Sequence, residues 1–178
     1  MSETRETILP DELVEKARAV ILANRAAGRR VAVAESCTGG LVCAALTEIP
    51  GSSDVLDTGL VTYSNEAKAD LLNVSEEVLE TFGSVSIAVA WSMAQGALDK
   101  SRADVAVALT GIAGPAGGSE RKPVGTVVFA VARRGQDPDT VIADTQEFGD
   151  LGRGGVRLQA ALCALDLLMP ESESGQVP

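Results

Sequence analysis

The stretch Val31-Ala32-Val33-Ala34-Glu35-Ser36-Cys37-Thr38-Gly39-Gly40 decides how this chain folds. Its first four residues are a short apolar run bounded by charge, with Arg29-Arg30 before it and Glu35 after it, and they read as a buried strand. At Gly39-Gly40 the pattern changes, and a helix is expected from there through Leu41 to Ile49, stopped by Pro50-Gly51. A buried strand that turns directly into a helix belongs to a layered α/β domain.

Working outward, Pro10-Asp11 opens a helix whose Leu13, Val14, Ala17, Val20 and Ile21 follow helical spacing, and Gly28 ends it. Val55 to Tyr63 reads as a second strand. Asn65 caps a short helix carrying Lys68, Ser75 starts another that Gly83 closes, and Ser86 begins a longer one through Trp91 and Met93 to Lys100. Val105 to Leu109 is the next strand and empties into Thr110-Gly111-Ile112-Ala113-Gly114-Pro115. A surface loop is expected over 114–123, then strands Val124 to Ala132 and Val141 to Phe148 joined by a turn, then a final helix from Val156 to Leu168. This order calls for a central mixed sheet covered on both faces, its last hairpin antiparallel. Residues 1–9 read as a flexible leader, 10–169 as one domain and 170–178 as a disordered tail.

Composition narrows the function classes. The formal charge of −10 argues against a nucleic-acid partner, which would demand clustered Lys and Arg. The short basic runs Arg29-Arg30, Arg121-Lys122 and Arg133-Arg134 fall near turns and read as solvated loops. The charged N-terminus has no apolar h-region and no stretch approaches transmembrane length, so a cytoplasmic protein without a membrane partner is expected. Cys37, Cys43 and Cys163 form neither a C-x-x-C pair nor a zinc pattern. Histidine is absent, which removes a His-based triad, a His general base and the usual catalytic metal ligand together. Neither a metal nor a cofactor is expected.

Three polar clusters fall at strand ends, where ligands bind in such sheets. Glu35 to Gly40 is a strand-to-helix turn whose backbone N–H groups suit an anion or a developing oxyanion, or simply a capping turn. In Tyr63-Ser64-Asn65-Glu66-Ala67-Lys68, the lysine lies about one helical turn beyond the only tyrosine, and its amine can fold back or face solvent. Thr110 to Pro115 offers a glycine-rich backbone for close ligand contact, or a tight turn. Without histidine, a serine can be activated by a lysine of depressed pKa, with tyrosine relaying or orienting the proton. Cys37 is the rival nucleophile and ranks behind Ser36, because no histidine is available to ionise it.

The motifs AESCTGG, VTYSNEAKADLL, ALTGIAGPAGG and KPVGTV, spread over residues 10–169, resemble those of the CinA C-terminal domain family, which contains stand-alone nicotinamide-nucleotide amidases. The resemblance implies a three-layer α/β/α sandwich with a mixed, mostly parallel five-stranded sheet. It implies hydrolysis of nicotinamide mononucleotide, a small nucleotide, to nicotinate mononucleotide and ammonia; a non-catalytic nucleotide-binding or regulatory module of the same family is the alternative. Ser36 is then the nucleophile, Tyr63 and Lys68 move the proton, and Thr110 stands beside the substrate. The oxyanion would be met either by Thr38, Gly39 and Gly40 or by the backbone from Gly111 to Gly114. Relatives carry G-D-R-x-x-x-R before the last helix, whereas here Leu151-Gly152 separates Gly149-Asp150 from Arg153 and Arg157. Arg157 is therefore favoured over Arg153 as the reader of the substrate phosphate. Longer family members add an N-terminal half resembling molybdopterin-cofactor binding proteins, whose activity is not expected here. A homo-oligomer, specifically a dimer, is expected, with Trp91 and Met93 placed in either core or interface.

Overall fold

The computed structural model describes residues 6–170; the expectations for 1–5 and 171–178 lie outside them. Eleven main elements follow in the expected order: α1 (Asp11–Ala26), β1 (Val31–Glu35), α2 (Leu41–Thr47), β2 (Leu56–Val61), α3 (Asn65–Leu72), α4 (Glu76–Phe82), α5 (Ile87–Asp99), β3 (Val105–Gly111), β4 (Thr126–Arg133), β5 (Ile142–Glu147) and α6 (Gly152–Leu167). The strands form one sheet in the order β2-β1-β3-β4-β5. β1 pairs parallel with β2 and with β3, while β3–β4 and β4–β5 are antiparallel, so the mixed sheet is evenly divided between the two pairings.

Side-chain alternation along the strands assigns each face its layer. Val31 and Val33 of β1, Val105, Val107 and Leu109 of β3, and Val127, Phe129 and Val131 of β4 join the core under α1, α2 and α6. The intervening Ala32, Ala34, Ala106, Ala108, Ala130 and Ala132 join a second core with α5, whose own contacts are Ala90, Met93, Ala94 and Ala97. Alanine on both sides lets α5 lie close to the sheet. Gly96 extends that closeness to α3, since a Cβ there would sit 2.0 Å from the Leu72 carbonyl oxygen. Met93 is core, and Trp91 ties α5 outward by donating its indole N–H to the Pro138 carbonyl at 3.1 Å.

Two helical boundaries and two basic runs differ from expectation. The last helix begins at Gly152 rather than Val156. Arg29 and Arg134 are not solvated loop residues: Arg29 donates to Asn24 Oδ1 and the Leu168 carbonyl, and Arg134 to the carbonyls of Leu98, Ser101 and Ala103. Their guanidinium groups satisfy carbonyls left open at helix ends. Arg30 pairs with Asp57 at 3.2 Å. Among the described residues no helix is long and apolar enough to cross a membrane, and no group of His, Cys, Asp and Glu is placed to hold a metal ion.

The connections leaving β1 and entering β3 explain where a site can form. α2, after β1, packs in one core, whereas α3 to α5, before β3, pack on the other side. The crossovers therefore part to opposite faces between β1 and β3, which opens a crevice at the carboxyl ends of those two strands.

Candidate active site

Ser36 follows β1 at that crevice and is 7% exposed. Its N–H still donates to Leu109 O at 3.1 Å, so the strand ladder holds its backbone one residue past the strand. Lys68, on the first turns of α3, is 1% exposed and turns its amine inward. Ser64 caps α3 by accepting from Ala67 N, which fixes where Lys68 falls. Lys68 Nζ lies 3.1 Å from Ser36 Oγ, 2.9 Å from Thr62 O and 3.4 Å from Tyr63 O.

No carboxylate appears among these contacts, and burial pushes the Lys68 amine below the ordinary lysine range. Its neighbours also suit the neutral form. An uncharged amine has two N–H donors and one lone pair; two carbonyls take the donors, and the lone pair is left for the Ser36 hydroxyl. Ser36 O–H then donates to Nζ, which is the arrangement of a nucleophile with its general base.

Tyr63 stands differently from the expected relay. Lys68 meets its carbonyl, not its phenol; the side chain is 60% exposed and its hydroxyl accepts from Arg153 Nη2 at 2.9 Å. Tyr63 therefore lies at the mouth of the crevice while its backbone serves the lysine. The reason is local: Tyr63 follows the strand end, where the carbonyls of Thr62 and Tyr63 both turn towards α3.

Glu35 closes one of the two expected oxyanion sites. The period of two puts Glu35 on the same face as Val31 and Val33, beneath α2, where it is fully buried. Its carboxylate accepts from the N–H groups of Gly40, Val42 and Cys43 at 3.0, 3.1 and 2.9 Å. Gly39 N donates to Ser36 O at 3.0 Å. The N–H groups of Gly39 and Gly40 are thus spent, and Thr38, Gly39 and Gly40 line no part of the cavity that holds Ser36. Sequence reading placed Glu35 in the motif without a task; an acid directly after an alternating buried run is the signal. Glu35→Ala would strand three buried donors, and we expect a loss of about 2–4 kcal/mol in chemical denaturation, with Glu35→Gln losing less because its amide oxygen still accepts.

The remaining predicted residues converge on the crevice. Thr110, 1% exposed, donates from Oγ1 to Ser84 O at 2.8 Å and ties the end of β3 to the loop before α5. Ser36, Cys37, Tyr63, Lys68, Thr110, Gly111, Ala113 and Arg153 line a cavity of about 150 Å³ with Ser84 and Val85. Among the described residues, the N–H groups of Ala113 and Gly114 take no acceptor. Cys37 is buried, and its thiol is pushed up to about 11, chiefly by that burial and further by the Glu35 charge, so it stands protonated.

The two arginines exchange their expected places. The extra Leu151-Gly152 is absorbed in a turn in which Leu151 N donates to Gly149 O, and Arg153 still falls in the first turn of α6. Arg153 reaches the cavity, donating to Gly114 O as well as to Tyr63. Arg157, one turn further in, donates to Thr38 O at 2.9 Å and supports the Ser36 turn from behind. A larger groove of about 470 Å³ beside the start of α1 is lined by Glu6, Asp11, Glu15 and Glu48 and contains no nucleophile with a base.

Comparison with known proteins agrees with this geometry. Residues 14–171 match the CinA C-terminal domain. A nicotinamide-nucleotide amidohydrolase, PncC, of Enterobacter agglomerans is 52% identical over 147 residues, 83% of this chain and 87% of that protein. A CinA-like protein of Mycobacterium avium is 51% identical over 149 residues, again 83% of this chain but 34% of its own length. The chain spans little more than a third of the length of the longer relatives it matches. Among solved structures, the competence/damage inducible protein CihA from Agrobacterium tumefaciens superposes with a TM-score of 0.86 at 49% identity, over 91% of this chain and 96% of that one.

Proposed function

The chain belongs to the family of the CinA C-terminal domain, and on that premise we propose that it is an amidohydrolase converting nicotinamide mononucleotide to nicotinate mononucleotide and ammonia. The observation that carries the reading is the buried Lys68 amine 3.1 Å from Ser36 Oγ, with no carboxylate to hold it charged. Ser36 Oγ attacks the carboxamide carbon as Lys68 takes its proton. The tetrahedral oxygen faces the open N–H groups of Ala113 and Gly114 on the loop after β3. Lys68 passes its proton to the leaving nitrogen, ammonia departs, and an ester to Ser36 remains. Water then attacks that ester with Lys68 again as base, which releases the carboxylate and restores the serine.

Such a protein works in pyridine nucleotide recycling, as a cytoplasmic homo-oligomer that needs neither metal nor cofactor. Purified protein should release one ammonia per nicotinamide mononucleotide consumed, with chelator present or absent. Tight binding without release would replace the amidohydrolase by a nucleotide-binding module.

A further inference from the structure

The cavity around Ser36 opens into a second, wider chamber of about 430 Å³, and the two share Ser84, Val85, Gly111, Ala113 and Arg153. The inner chamber, at about 150 Å³, is smaller than the roughly 300–1,000 Å³ of ordinary ligand sites, so the outer one must hold most of any nucleotide. Its walls are the 83–85 loop and the 111–117 loop, and Lys122 and Arg153 supply its charge.

The charge balance there is unusual for this protein. With a net charge of −10, carboxylates abound, yet no Asp or Glu lines either chamber. Lys122 Nζ donates to Phe82 O at 3.1 Å, and Arg153 to Gly114 O and the Tyr63 hydroxyl; these partners are all neutral. Lys122 is half-buried, with Gly83 beside its amine, and Arg153 is held by two hydrogen bonds that set its direction. Two fixed cations facing one chamber without a counter-charge describe a receptor for an anion. The carboxamide end belongs at Ser36, so the anion must lie at the far end of the same molecule.

We infer that the outer chamber is a phosphate-monoester subsite in which Lys122, together with Arg153, selects nucleotides over nucleosides. This rests on the proposed function for the identity of the inner group, while the anion preference stands on the chamber itself. Lys122 also caps the last carbonyls of α4. A structural role alone would weaken all ligands equally; phosphate recognition discriminates between them.

The test is calorimetric titration of the full chain carrying Ser36→Ala, with nicotinamide mononucleotide and with nicotinamide riboside, alone and combined with Lys122→Met or Lys122→Arg. Lys122→Met should weaken the mononucleotide by about ten- to hundredfold and leave the riboside within about twofold, and Lys122→Arg should keep most of the affinity. Inorganic phosphate should compete with the mononucleotide in the parent and less in Lys122→Met. Equal loss for both ligands, no loss for either, or no binding of the mononucleotide at all would overturn the subsite. If the mononucleotide binds in a Lys122-dependent way but the protein with Ser36 intact releases no ammonia, the amidohydrolase reading falls and the subsite stands. If ammonia is released equally fast from both compounds whatever stands at 122, the reverse holds.

Discussion

Ser36→Ala is expected to lower ammonia release from nicotinamide mononucleotide by about three orders of magnitude or more, in a protein that stays folded. The loss is large because the hydroxyl forms the covalent bond and nothing beside it can substitute. Cys37 is the adjacent candidate, but its thiol sits near 11 and is protonated at neutral pH. Cys37→Ala should accordingly retain turnover to within about tenfold. Folding should survive Ser36→Ala because the side chain is small and Lys68 keeps its contacts to Thr62 O and Tyr63 O. Paired steady-state assays and thermal melts check both halves of the statement. Equal turnover by Ser36→Ala and the parent would remove the covalent step.

Lys68→Met should be as damaging to turnover, again by about three orders of magnitude, while costing little stability or even adding some. Burial without a carboxylate disfavours the charged amine, so its pKa in the folded state lies below that in the unfolded chain. The sign then follows. Above the unfolded value neither state carries the proton and no penalty exists. As the pH falls towards and through the folded value, the unfolded state gains its proton first, and stability is lost until both are protonated. Methionine fills similar space without that proton, so the variant's stability should lack this loss on the acid side of the window. In the parent, kcat/KM should rise with pH through the same ionisation, because the unprotonated amine is the base. Melting temperatures and pH–rate profiles of the two proteins measure these effects.

The fold was legible because its elements announce themselves separately. The V-A-V-A run and its counterparts in β3 and β4 alternate valine with alanine, and the caps Ser64, Ser75 and Ser86 stand one residue before α3, α4 and α5. The start of α6 was harder to see, since Gly152, Gly154 and Gly155 all have poor helix propensity. Packing of Val156, Ala160, Ala161 and Ala164 into the core carries the helix back across them. That extension puts Arg153 in the first turn at the crevice and turns Arg157 towards Thr38.

Within the site, residue types were readable and atomic roles were not. Ser36 and Lys68 meet as the clusters suggested, because each follows a strand end at the same edge of the crevice. Whether Tyr63 offers its phenol or its carbonyl depends on one backbone turn that composition does not encode. The competition between Glu35 and a ligand for the N–H groups of α2 is likewise invisible until the carboxylate's burial is known. Lys122 was read only as part of a loop, because its partner carbonyl, Phe82 O, is forty residues away in sequence.

The whole account turns on the protonation of one nitrogen, and the chain has only four lysines, at 16, 68, 100 and 122. Titration of lysine labelled at Cε and Nζ, followed by NMR, therefore reads it directly, with Lys68→Met identifying the resonance. That resonance should deprotonate below the ordinary lysine range and in step with the rise of kcat/KM. An ammonium at position 68 that persists to the ordinary lysine value while the enzyme turns over at neutral pH would contradict the account.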